Sequence, residues 1–408
     1  MTQPAAAHAD GTRRVLLQAA ALALGAAVSL GLARFAYALL LPPMRNDLGW
    51  SYLTAGAMNT INALGYLVGA LLVPRLLRHR SARQLLLAGS GATAVLLAGH
   101  GLVLADAALL GLRLLSGAAS ALTFVCGGLL AARLGSAPAG DQAPSPRPSA
   151  ALVLGLYYGG TGAGIIVAAA VVPPLADLPR PHAWQWAWLA LAAVAALATL
   201  LMAAGTRSLA PVAPGHGGAG RFEARRFAFA LGGYLLFGLG YIGYMTFNVT
   251  LLREQGMSRG ALTLFYVVLG CGVVASSWLW AGLLQRHRGG VPMAVLNALL
   301  ALATALPVLS RSAVAAFASA ALFGCVFLSV VASTTAFVRH NLPPAAWASG
   351  IAAYTIVFAA GQIVGPTFTG WIADGSGGLA RGLVVSALLL AVGALLAALQ
   401  RPLSAERP

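Results

Sequence analysis

Lysine is absent from this chain and acids are scarce: its 408 residues hold 25 basic side chains, all arginine, against 9 Asp and Glu. Charged residues make up 8% and hydrophobic residues 59%, too little charge to cover a water-soluble surface. The three cysteines, Cys126, Cys271 and Cys325, lack metal-ligand spacing and fall inside apolar stretches, where they read as packing residues. No Walker-type loop exists to bind ATP, and no buried His or acid stands beside a nucleophile. Covalent chemistry, a metal and a cofactor are all without support. The short alternating segments of a membrane-spanning strand barrel are also missing.

What is present is length in apolar runs. Twelve stretches of transmembrane length can be drawn, at 15–41, 53–73, 84–104, 107–132, 150–173, 184–204, 227–250, 260–284, 290–309, 313–338, 345–373 and 382–400. The expected fold class is an all-α, multi-pass membrane protein. Arginine sets its orientation. With the N-terminus inside, seventeen arginines fall on the cytoplasmic side (13, 14, 75, 78, 80, 83, 133, 147, 207, 221, 225, 226, 286, 288, 339, 401 and 407). Six (45, 180, 253, 259, 311 and 381) face outward. That is the positive-inside bias, and an even helix count puts both termini in the cytoplasm of a bacterial inner membrane. The net charge of +16 therefore reports topology and contact with the lipid bilayer, not nucleic acid. Trp50, Trp184, Trp186 and Trp371 are expected in an outer aromatic belt, with Trp280 and Trp347 near the inner face. Thr12-Arg13-Arg14 followed by an apolar run imitates a twin-arginine export signal, but the run continues to Leu41 and eleven more follow.

Three segments lie outside the spans: a small polar tail at 1–12, a Pro-rich cytoplasmic loop at 135–149, and a Gly/Pro/Arg-rich linker at 207–225. The linker separates two six-helix halves, 13–206 and 226–408. Shifted by 207 residues, the chain matches itself without a gap. Gly25, Gly31, Leu32, Tyr37, Gly49, Ser51, Gly65 and Leu72 fall on Gly232, Gly238, Leu239, Tyr244, Gly256, Ser258, Gly272 and Leu279. Asp47 meets Glu254 and Gly117 meets Gly324. Duplicated halves of several membrane helices are the build of many secondary transporters, with the binding site where the halves meet. Gly160 and Gly164 carry small-xxx-small spacing and read as a helix-packing face.

Two six-helix halves, a central cytoplasmic linker and inside termini resemble the major facilitator superfamily, over nearly the whole chain. Gly31-Leu-Ala-Arg34-Phe35-Ala36-Tyr37, Leu41-Pro42-Pro43-Met44 and Asn62-Ala-Leu-Gly65-Tyr66-Leu-Val-Gly69-Ala70 resemble its YbfB/YjiJ branch. Arg113-Leu-Leu-Ser-Gly117 resembles the superfamily's helix-four Arg-xxx-Gly motif, which implies a coupling role for Arg113. Departures exist. Pro74-Arg75-Leu-Leu-Arg78-His79-Arg80 keeps the basic residues of the helix 2–3 gating motif without its Asp. Gly160-xxx-Gly164 lacks the following Pro associated with antiporters, while Gly361-xxx-Gly365-Pro366 stands in helix eleven. The resemblance implies a monomer.

Charge inside a membrane costs roughly 2.5–3.5 kcal/mol per arginine near mid-span, so the buried ionisable groups are candidates for function. There are two, Arg34 and Arg113. Arg34 lies eight residues before Pro42, about 12 Å below the outer end, and Arg113 lies at similar depth. Either both face one solute, or each snorkels outward or pairs structurally with Asp106 or Asp177. All nine acids fall in tails, loops or helix ends, so no buried carboxylate is available to exchange a proton for a cation. The cavity should then be net positive and favour an anion. His100 reads as an interfacial histidine of helix three. Asn59, Asn62 and Tyr66 share one face of helix two, and Tyr241, Tyr244 and Asn248 repeat that spacing on helix seven. Tyr37, Tyr157, Tyr158, Tyr354 and Gln362, with Ser and Thr on helices four and ten, extend the polar set. Each is either a solute contact or an interhelical bond.

The expectation is a secondary active transporter for a small organic solute, an anion or carboxylate, with a proton or another ion as a coupling partner. A proton-coupled exporter of hydrophobic drugs or sugars is the alternative within the class. A non-transporting membrane sensor is the alternative outside it.

Overall fold

The computed structural model describes residues 3–136, 148–209, 223–343 and 346–403. Most of the Pro-rich loop and of the linker lies outside the described residues, as do Asp141, Arg147, Arg221, Glu406 and Arg407. Twelve long helices alternate in direction. α1 runs through Gln3–Ala26, Ala27–Phe35 and Tyr37–Leu48; α2 is Tyr52–Leu76, α3 Ala82–His100, α4 Asp106–Ser136, α5 Ala150–Ala176 and α6 Trp184–Gly205. α7 is Ala228–Glu254, α8 Arg259–Leu279, α9 Val291–Leu309, α10 Ala313–Asn341, α11 Trp347–Ala373 and α12 Gly378–Leu399. Eleven of them are long and apolar enough to cross a membrane. The remaining one, α3, carries Arg83 and Gln84 in its first turn and closes on His100; it packs against α4 and α6 and leaves Val95 exposed on its other side.

The helices form two six-helix bundles that repeat one packing scheme. α2 lies on α4 as α8 lies on α10, α1 on α5 as α7 on α11, and α3 on α6 as α9 on α12. Across the middle, α5 meets α8 and α11 meets α2, the exchanged pairing that a two-fold relation requires, while the outer part of α1 meets α7.

The duplicated glycines make duplicated contacts. A methyl added at Gly117 would sit 2.1 Å from the Asn62 carbonyl oxygen, and one at Gly324 would sit 2.2 Å from that of Leu269. Both glycines let two helices approach to backbone contact. The α1–α2 and α7–α8 turns match as well. Gly49 and Gly256 take the left-handed conformation at φ +66° and +87°, which only glycine adopts freely. Two residues on, Ser51 and Ser258 each accept a backbone N–H and cap the next helix. Gly160 and Gly164 pack against the backbone of Ala23 and Ala27, and Gly361 and Gly365 against that of Leu235 and Leu239.

Several expectations are corrected by packing. α1 begins at Gln3, so the 1–12 tail is helical from there. Trp50 and Trp184 are buried and donate to Asp106 and Asp47 at 2.8 and 2.5 Å, so they pin loops rather than sit in a lipid belt. Trp186 and Trp371 remain exposed. His100 is fully buried, stacked on Trp188 at 4.6 Å with Nδ1 on the Leu96 carbonyl, because α3 turns this face to α6 and not to lipid. Cys126 is a packing residue, whereas Cys271 is exposed.

Candidate functional site between the bundles

Arg34 stands at the end of a π-helical stretch, Ala27–Phe35, in which Ala36 N–H bonds back to the Gly31 carbonyl at 3.0 Å. Wider turns of this kind re-aim side chains and recur at functional positions. The stretch lies where α1 is in backbone contact with α5, Gly31 facing Gly164. The Arg34 guanidinium therefore projects to the seam between bundles and is 4% exposed. One Nη donates to Gln362 Oε1 of α11 at 2.6 Å. The Gln362 amide nitrogen in turn donates to the Tyr241 hydroxyl of α7. Arg34 Nε is buried and has no partner among the described residues. The ring of Tyr66 on α2 lies 5.5 Å from the guanidinium carbon.

Arg113 is placed differently. It is 1% exposed, and its Nε, Nη1 and Nη2 donate to Met58 O, Ala33 O and Asn59 Oδ1 at 3.2, 3.0 and 3.1 Å. Its guanidinium lies over the Tyr37 ring at 4.5 Å. These partners belong to α1 and α2, so Arg113 laces three helices of the first bundle together. Asn59 carries the connection across the seam by donating to Thr246 of α7 at 2.7 Å. Among the described residues, neither arginine pairs with an acid. Asp106 accepts from Trp50, and Asp177 pairs with Arg253 and Arg259 at 2.6 and 3.1 Å. Both buried guanidiniums thus stand without a carboxylate partner among the described residues.

The other residues singled out in the sequence divide. Gln362 and Tyr241 join Arg34, and Asn59 joins Arg113. Tyr37 donates to Ala55 O at 2.9 Å, Asn62 to Arg113 O at 3.0 Å, and Tyr157 to Phe124 O at 2.6 Å, each inside the first bundle. Tyr244 bonds Ser319 of α10 at 2.6 Å and stacks on Phe323. Asn248 Oδ1 accepts from the adjacent Val249 N–H, while its Nδ2 is buried without a hydrogen-bond partner among the described residues. The Tyr354 hydroxyl is likewise buried without a hydrogen-bond partner among the described residues. Tyr158 is exposed beside Phe124.

An aromatic ladder was not anticipated. Tyr234, Phe237 and Tyr241 step along α7, and Tyr354 and Phe358 along α11, ending at Gln362. Phe358 stacks on Tyr234, Phe237 and Tyr241 at 5.1, 5.4 and 5.6 Å, and Phe327 of α10 closes the row on Tyr241 at 6.0 Å. The i, i+4, i+8 spacing of Tyr354, Phe358 and Gln362 carried the signal in the sequence.

Bonds joining the bundles cluster at the end away from the chain termini. Asp374 at the end of α11 accepts the backbone N–H groups of both Tyr52 and Leu53, each at 2.8 Å, and so caps α2 from the opposite bundle. The Tyr52 hydroxyl bonds Glu254, and the Arg45 guanidinium sits 3.8 Å over the Tyr52 ring. Thr60 bonds Ile363 O and Thr367 at 2.6 and 2.7 Å, and Gly56 and Gly370 let α2 and α11 touch backbone to backbone. This end is shut.

Solved transporters share the architecture. The nucleoside transporter NupG, as a single-substitution mutant, is similar at 16% identity with a TM-score of 0.71, over 93% of this chain and 99% of that one. A bacterial homologue of the human lysosomal transporter Spinster, inward-facing and unoccupied, is similar at 17% identity and a TM-score of 0.69, over 97% of both chains. At these identities the likeness speaks for the fold. No curated protein sequence matches. Residues 26–398 match the family model described as "Uncharacterised MFS-type transporter YbfB". The chain thus belongs to that family of the major facilitator superfamily, and it is a membrane transporter rather than an enzyme.

Proposed function

We propose that the protein is a secondary transporter that carries a small organic anion, a carboxylate, across the bacterial inner membrane by rocking its halves, 13–206 and 226–408, about Arg34. The observation that carries this reading is Arg34 itself: a buried guanidinium at the seam, with no acid partner among the described residues and Nε unused. A carboxylate offers the charge and two-pronged acceptor geometry that such a group lacks. Gln362 and Tyr241, already hydrogen-bonded in line with it, would orient the bound group. Arginine asymmetry favours both termini in the cytoplasm; the shut end would then be periplasmic, and the solute would reach Arg34 from the cytoplasmic side. The acids at the shut end, Asp177, Glu254 and Asp374, are the groups through which a proton would couple.

A second reading, export of hydrophobic drugs, is favoured by the aromatic ladder. Uptake into proteoliposomes under an imposed pH gradient, with carboxylates, sugars and lipophilic cations in parallel, separates the two. Carboxylate movement that disappears in Arg34→Ala is the expected result. Movement of cations or neutral drugs, indifferent to Arg34, would overturn the reading.

A further inference from the structure

The proposed function leaves the kind of carboxylate open, and the surroundings of Arg34 narrow it. Many rings near the seam are fully packed, but Tyr66 on α2 and Phe358 on α11 are only partly buried. They belong to opposite bundles. Tyr66 lies beside the Arg34 guanidinium. Phe358 stacks on Tyr241, whose hydroxyl holds the Gln362 that Arg34 also binds. Tyr66 thus adjoins the cation directly and Phe358 adjoins it through Tyr241 and Gln362, and Arg34 Nε has no partner among the described residues.

We propose that the solute is an aromatic carboxylate, its carboxylate on Arg34 and Gln362 and its ring held between Tyr66 and Phe358. This rests on the reading of the protein as a carboxylate transporter and specifies it. Arg34 supplies the Nε–H that has no other acceptor, and the ring of the solute extends the stack that Phe237, Tyr241 and Phe358 begin. Because the two flanking rings come from different bundles, an aromatic solute bridges them where an aliphatic one of equal size gains only contact area. Offset or edge-on ring pairs favour an aromatic partner beyond its buried surface, and two of them amount to a preference of about tenfold.

The test uses the purified full-length transporter and pairs of solutes matched in charge and size. These are benzoate with cyclohexanecarboxylate, phenylacetate with cyclohexylacetate, and cinnamate with 3-cyclohexylpropionate, each followed by thermal stabilisation and by uptake into proteoliposomes. Benzamide, a ring without the charge, serves as the control. The aromatic member of at least one pair is expected to bind about tenfold more tightly than its saturated partner, and benzamide not to bind. In Phe358→Leu and, separately, Tyr66→Leu that preference should fall to about threefold or less. Equal binding of aromatic and saturated partners would overturn this inference and leave the carboxylate reading intact. Binding of neither series would overturn both. The wild-type comparison decides the matter even if a variant fails to fold.

Discussion

Arg34 and Tyr241 occupy equivalent positions of the internal repeat, and both reach the same side-chain amide, that of Gln362 on α11. One half contributes the cation and the other a phenol, so the two-fold relation that builds the fold is broken in chemistry at its centre. Gln362 uses its carbonyl toward Arg34 and its amide toward Tyr241, and can hold both only while α1, α7 and α11 converge. A solute bound at Arg34, as proposed, would compete with Gln362 for the guanidinium and would link binding to the relative position of the bundles.

The two buried arginines should separate by assay. Arg34→Ala is expected to abolish carboxylate uptake, with a small effect on the melting temperature, since one hydrogen bond to Gln362 is lost. Arg113→Ala removes hydrogen bonds to the Ala33 and Met58 carbonyls and leaves Asn59 Oδ1 without its donor, and a buried group left unpaired costs about 1–3 kcal/mol. Its melting temperature in detergent should fall clearly. If Arg34→Ala transports normally, the site lies elsewhere.

Asp374→Asn should favour opening of the shut end. The carboxylate accepts two backbone N–H groups at the start of α2, whose helix dipole favours a negative partner. A neutral amide supplies one acceptor oxygen and no charge. Accessibility of a cysteine placed at Thr60 to a membrane-impermeant thiol reagent, in a background lacking Cys126, Cys271 and Cys325, should rise relative to the same protein with Asp374 intact. Unchanged labelling would mean the α2–α11 backbone contact alone keeps this end closed.

Thr60 and Thr367 hydroxyls lie 2.7 Å apart across the seam. In the same cysteine-free background, Thr60→Cys with Thr367→Cys is expected to form a disulfide under mild oxidation and to stop turnover, with reductant restoring it. Transport that continues while the crosslink is complete would rule out rocking of α2 against α11 as part of the cycle.

Alanine at Gly117 or Gly324 should destabilise by similar amounts, because each methyl would meet a carbonyl oxygen, of Asn62 or Leu269, at 2.1 or 2.2 Å. Forcing two helices apart in this way costs about 1–3 kcal/mol. Gly111→Ala, where nothing lies within 4 Å, is the matched control. Melting temperatures of the three variants in one detergent suffice to compare them.

Much of this protein was legible in its sequence. Apolar run length gives the helix count, because a membrane leaves the backbone no alternative to internal hydrogen bonding. The repeat of Gly49 with Gly256, Ser51 with Ser258 and Gly117 with Gly324 predicts matched turns and matched helix contacts, since only glycine tolerates those backbone approaches and a serine cap is local chemistry. Scarcity of acids likewise predicts arginines inside the bundle without acidic partners.

Tertiary structure decided the rest. Arg34 and Arg113 look alike in sequence, each a lone arginine in an apolar run. Which one meets the seam depends on the π-helical stretch in α1 and on how α2 and α4 rotate about Gly65 and Gly117. Trp184 and Trp186 are two residues apart, yet one is buried on Asp47 and the other exposed, because a helix turns about 200° between them. The aromatic ladder, too, exists only once α7 and α11 face each other across Gly238 and Gly361. Composition and periodicity fix which residues a helix carries; the crossing of helices fixes which of them meet.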